Sequence, residues 1–169
     1  LGIIAFADLV PSLLVGPLGG AYADHHSRLR VCIVCQVLAM LQAGVLWALT
    51  ATDIITIHML LALTVLLAFV YSFERPARMS LVPSLAREDD IAAAIAAYSV
   101  SFNLARFIGP AVAGIVITTM GIATAFLFNV VTFAIFLIAM SCLRLPPQTL
   151  AKPADGGIFA EVLEGFRYV

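Results

Sequence analysis

Charge is scarce in this chain. Of its 169 residues only 11% are Asp, Glu, Lys or Arg, nine basic and ten acidic, where soluble domains carry about 25%. With 63% of residues hydrophobic and a mean hydropathy of +1.09, so few charges leave more apolar surface exposed than a soluble monomer tolerates. A soluble domain is therefore excluded, and no nucleic-acid partner is expected. Cysteine is almost as rare. Three cysteines build no disulfide framework, and Cys32 and Cys35, although spaced C-x-x-C, lie inside an apolar run without a second pair or a histidine cluster. Both read as small buried hydrophobes rather than redox or metal residues. Missing too are an H-E-x-x-H pair, a nucleophile elbow and a Gly-rich phosphate loop, so no enzyme is expected.

What the chain has is long apolar runs. Five segments, about 1–23, 31–51, 54–73, 91–119 and 122–143, meet the length of about 20 residues that a helix needs to cross the hydrocarbon of a bilayer. They lack the alternation of barrel strands, and backbone amides in lipid must be satisfied within the segment, so the fold class is all-α, a polytopic transmembrane helix bundle. Basic residues are sided. Arg28 and Arg30 follow the first run, Arg75, Arg78 and Arg87 the third, and Arg144, Lys152 and Arg167 the fifth, whereas the other two connections contain no Lys or Arg. The positive-inside rule makes the basic side cytoplasmic. Trp47, Tyr71 and Phe73 suit the interfacial belts, Asp53 is expected to cap the helix starting at Ile54, and His58 falls near the outer surface. Residues 1–144 thus form the membrane part and 145–157 a cytoplasmic linker. In 158–169, Ile158, Phe159, Val162, Leu163 and Phe166 share one face, the start of an amphipathic cytoplasmic helix. The chain starts on Leu1 in the middle of an apolar run and ends within this helix, as a piece of something longer would.

Within the runs only Asp8 and Arg106 are ionisable and distant from both ends, and a charge in that position marks a functional site until another reason is found. At 100° per residue, Ser99, Asn103, Arg106, Pro110 and Gly114 fall on one stripe of the fourth run, polar first and then small. The polar part would bond a solute or line water, or else tie neighbouring helices together. Gly109, Pro110 and Gly114 allow bending or close contact. Asp8 and Arg106 lie at similar depth, which allows a proton-responsive pair; the alternative is an Asp8 that snorkels to the outer interface.

In "GPLGGAYADHHSRLR", Gly20 allows close helix approach, Asp24 can accept backbone amides at a helix start, and Arg28 anchors the turn to the basic side. This stretch resembles the G-x-L-A-D-R-x-G-R signature of the major facilitator superfamily, with His25, Ser27 and Leu29 standing where the signature usually has other residues. Downstream, "FERPARMSLVPSLAREDDIAAAIAAYSVSFNLARFIGPAVAG" is similar to the fourth-to-fifth helix region of the branch containing the enterobactin exporter and macrolide efflux proteins. The resemblance covers nearly the whole chain. It implies that the five spans are helices two to six, a partial N-terminal half of a twelve-helix fold in a bacterial inner membrane. It further implies a conformational-switch motif at Gly20, Asp24 and Arg28, an inner-face charge network with Glu74, Arg75 and Arg78, and a cavity lined from Asp8, Ser99, Asn103 and Arg106. The function implied is proton-coupled export of a small organic molecule, a drug or siderophore, by alternating access. No cofactor is implied beyond the proton gradient. The partners are lipid, substrate, protons and the C-terminal half of the same chain. Uptake by the same fold, or a transport-inactive scaffold or sensor, are the alternatives.

Overall fold

The computed structural model describes residues 25–143 together with Phe6, Val15, Gly16, Gly19 and Tyr22, and for Glu88 the backbone alone. Asp8, Gly20 and Asp24, the linker 145–157 and the helix 158–169 lie outside the described residues. Four helices run through the described part: α1 (Arg28–Ala51), α2 (Ile57–Ser84), α3 (Ile91–Met120) and α4 (Ile122–Ser141), with a single 3₁₀ turn at Glu88–Asp90 before α3. All four are long and apolar enough to cross a membrane. The five residues described before 25 also have helical backbone.

Helix α1 is the hub and packs most extensively on α4 and α2. Its buried residues, Val31, Cys32, Cys35, Gln36, Ala39, Gln42, Ala43 and Leu46, recur at three- and four-residue steps and so form one face. The middle of that face is small, with Ala39 and Ala43 fully buried, which lets the backbones approach closely where lipid offers no hydrophobic drive to associate. Toward the end of the bundle that holds Arg28, Val31, Cys32 and Cys35 meet Ala77 and Leu81 of α2 and Met140 of α4 in one cluster. Cys32 and Cys35 are free and buried, as their apolar surroundings in the sequence suggest. Hydroxyls inside the helices mostly satisfy themselves. Thr64, Ser72, Thr118 and Ser141 donate to carbonyls four residues back in their own helices, as Ser and Thr do when no water is at hand.

Two local expectations change. The turn after α1 is a Schellman motif: the amides of Asp53 and Ile54 donate to the carbonyls of Thr50 and Leu49, at 3.2 and 3.1 Å. Asp53 sits in it with φ 56°, a conformation that short polar side chains accept better than bulky ones, so it closes α1 instead of opening α2. The cap of α2 is Thr56, whose side chain accepts from the Met59 amide at 3.3 Å. The second change is larger. The segment from Glu74, expected as a connection after a span ending near 73, continues α2 for another three turns, through Pro76 and Pro83, to Ser84. Prolines are tolerated in membrane helices because neighbours re-satisfy the carbonyls they leave unpaired. The longer helix moves Glu74, Arg75 and Arg78 from a loop onto the wall of the bundle.

Helix α3 is different in kind, since none of its residues is buried, and it touches α4 and α2 far less than α1 does. Phe107 is 84% exposed. Between α3 and α4 there is only Gly121, whose φ of +87° gives the one-residue reversal that a side chain would strain.

Candidate functional site

The basic end of the bundle is built from three arginines that each engage something different. Arg28, in the first turn of α1, donates from Nη1 to the Ser80 carbonyl of α2 at 3.3 Å and so ties the start of one helix to the end of the next. Arg78 pairs with Glu74 one turn earlier on α2, and its guanidinium lies 5.2 Å from the centre of the Phe136 ring on α4. Glu74 is only 3% exposed; its neutralising partner is what makes that burial affordable to the fold, because an unpaired buried carboxylate is costly. Arg75 points differently and stacks over its helix neighbour Tyr71 at 5.8 Å.

A second feature lies at the same end. Gly19 is buried, and a Cβ built on it would fall 2.2 Å from the carbonyl oxygen of Ser72. Only glycine fits there. The Ser72 carbonyl is special for another reason: four residues on stands Pro76, which has no N–H to give it. Gly19 therefore rests against a carbonyl of α2 that the proline leaves without its regular partner. One turn along, Tyr22 meets Phe73 edge-on at 5.8 Å and stacks on His26 at 3.9 Å.

Between the four helices opens a cleft of about 740 Å³. From α2 it takes Tyr71, Glu74, Arg75, Arg78 and Met79; from α3 Tyr98, Ser99, Phe102 and Asn103; from α4 Thr132, Phe133 and Phe136; and from α1 a single residue, Gln36. Its volume lies within the range of about 300–1,000 Å³ typical of sites for small organic molecules. Gln36 is 3% exposed, and its Oε1 has no hydrogen-bond partner among the described residues. It is the residue that attention to ionisable groups alone passes over. The signal was there, for Gln36 and Gln42 are the two amides in the otherwise apolar run 31–51. Gln42 is accounted for, since its Nε2 donates to the Leu63 carbonyl of α2 at 3.3 Å.

The structure thus brings Glu74, Arg75, Arg78, Ser99 and Asn103 to one cleft, with Arg28 bonded to the α2 turn beyond it. It does not bring Arg106 there. That residue is exposed on α3, outside the cleft lining, and Asn103 donates to the Ser99 carbonyl of its own helix at 2.8 Å. Gly109 and Gly114 have no neighbour among the described residues where a side chain would be, and Pro110 stands inside α3 without ending it. No group of three or more potential metal ligands occurs among the described residues.

Comparison with known proteins gives a consistent picture. The sequence profile of a family described as transmembrane secretion effector matches residues 2–169. The staphyloferrin A transporter of Staphylococcus aureus is 29% identical over 156 residues, covering 92% of this chain and 39% of that protein. The multidrug efflux pump Tap of Mycolicibacterium fortuitum is 28% identical over 177 residues, covering 99% of this chain and 42% of the pump. An MFS-type transporter of Bacillus subtilis, YfiS, is 25% identical over 158 residues, covering 92% of this chain and 36% of its own length. The chain spans about two fifths of the length of these relatives. No solved structure matches.

Proposed function

The chain belongs to the transmembrane secretion effector family of major facilitator transporters, and from this premise we propose that the whole protein is a secondary active exporter of small organic molecules. The class of cargo is that named in two relatives, a drug or a siderophore. Transport proceeds by alternating access, with the halves of the fold rocking about a central site and protons moving in exchange. The protein sits in the inner membrane of a bacterium with its basic end toward the cytoplasm.

The observation that carries this reading is the basic end itself, where Arg28 and the Glu74–Arg78 pair lie beside an open cleft lined by both aromatic and polar groups. Asp24, four residues before Arg28, completes the switch motif with Gly20 and holds one access state against the other half of the molecule. Asp8 and Arg106 are the pair that senses protons, while Ser99 and Asn103 face the cargo. Gly109, Pro110 and Gly114 let α3 flex, because the proline leaves the Arg106 carbonyl without its ladder bond.

The test is efflux from energised cells expressing the full-length protein, across a compound panel, with and without a protonophore. Export that collapses with the gradient is expected. Asp24→Asn is expected to lower the export rate by at least about tenfold, the effect of losing one charge-assisted bond, with the amount of protein in the membrane unchanged. Export that persists after the gradient is abolished would refute proton coupling.

A further inference from the structure

Three observations in the cleft describe a ligand. The first is charge. Of its ionisable residues, Glu74 is committed to Arg78, which leaves Arg75 as the cation with no ion-pair partner among the described residues, engaged only with the Tyr71 ring. The cleft as a whole therefore favours an anion. The second is its walls. Tyr71, Tyr98, Phe102, Phe133 and Phe136 present rings from three helices, and stacked or edge-on packing on such rings selects a flat aromatic body. The third is Gln36, a buried amide lining the cleft whose Oε1 meets no donor among the described residues. Buried polar atoms left in that state are rare, and each calls for a missing partner.

We propose that this cleft is a recognition site for a planar aromatic carboxylate that also carries a hydroxyl, the acid taken by Arg75 and the hydroxyl by Gln36. The site includes the α1 and α4 walls, and Arg106, assigned to protons above, lies outside its lining. A cation of the same shape meets two guanidinium groups and one carboxylate already spoken for. Arg75 makes a charge-assisted bond to the acid, the stronger kind, and Gln36 supplies the acceptor that a phenol donates to. The assignment rests on the transport reading only for its place in a cycle, as the point where cargo is first held at the basic end.

The test is equilibrium binding of 6-hydroxy-2-naphthoate to the purified full-length protein, beside 2-naphthoate and 6-hydroxy-2-naphthamide. The wild-type protein is expected to bind the hydroxy acid about tenfold or more tighter than the neutral amide, and several-fold tighter than the acid without the hydroxyl. Arg75→Gln is expected to erase the first difference and keep the second. Gln36→Leu is expected to erase the second and keep the first. Because it removes an unmet buried amide, the Gln36→Leu protein melts no lower than wild type, and Gln36→Met, of similar volume, carries the same expectation. Absence of saturable binding by all three compounds, or variants that preserve both differences, would overturn the proposal. If the protein exports other compounds yet binds no naphthoate, this site falls and the transport reading stands; if it binds naphthoate and moves nothing, the reverse holds.

Discussion

Glu74 and Arg78 form a unit whose members cannot be replaced one at a time. Glu74 is buried and Arg78 is about one-third exposed, 32% by side chain, so the arginine keeps some water when its partner is lost and the carboxylate keeps none. Arg78→Gln is therefore expected to cost more than Glu74→Gln, by about 1–3 kcal/mol for the worse of the two. The double variant should be less unstable than the sum, since it leaves no lone charge behind. Thermal melting of the four full-length proteins measures this, and simple additivity would show that the pair is not coupled. At this scale the sequence was readable where the residue type settles the matter and silent where the neighbour does. Cys32 and Cys35 had to be hydrophobes, because nothing near them in the chain could use a thiol. Glu74 announced a charge in a connection, and only the continuation of α2 along α1, with Arg78 against the carboxylate, turns it into a buried one. Gln36 stands out in its apolar run as an amide, as Gln42 does, but that its oxygen is unmet among the described residues while Gln42 is bonded depends on the neighbouring helices.

Among the elements, α2 teaches most. Two prolines, three arginines and a glutamate between residues 74 and 87 have the composition of a loop, and in water such a stretch would end a helix. Here it stays helical to Ser84, because in a membrane bundle neighbours can re-satisfy the carbonyls that prolines free, while Glu74 and Arg78, one turn apart, neutralise each other. The contact of Gly19 with α2 is equally invisible from spacing alone, although the glycine pair "GG" hinted at a close approach. With a Cβ 2.2 Å from the Ser72 oxygen, any side chain at 19 must push two backbones apart. Gly19→Val in the full-length protein is expected to destabilise by about 1–3 kcal/mol or more, the range of overpacked interfaces. Gly16→Val, with nothing among the described residues within 4 Å of its Cβ, serves as the comparison and should stay within about 0.5 kcal/mol. Equal melting of the two variants would remove the close contact from the account.

For the whole molecule, sidedness is the property on which everything else depends. The starts of α1 and α3 and the ends of α2 and α4 carry Arg28, Arg87 and Cys142, whereas Thr52 and Gly121 mark the opposite turns. A membrane-impermeant maleimide applied to one face of sealed membranes is expected to label Cys142 and an Arg87→Cys variant together, and a Thr52→Cys variant only from the other face. Cys32 and Cys35, buried in the α1 face, should stay silent from both. Labelling of positions 52 and 87 from the same face would dismantle the topology. The expected sidedness comes from the arginines alone, because the membrane, unlike a folded core, sorts charge by position along the chain and not by contact. What a sequence pattern could not supply was the cleft, which takes one residue from α1 and the rest from helices up to a hundred positions away.

The seat of Gly19 on Ser72 has a consequence for wear and motion. On the proposed rocking cycle some helix pair must shear every turn, and a joint held by strong bonds would have to break and remake them each time. Here the proline has already removed the one strong bond the carbonyl might have had, and the glycine offers no knob to catch. At the Ser72 carbonyl, at least, the surfaces could part without breaking a ladder hydrogen bond.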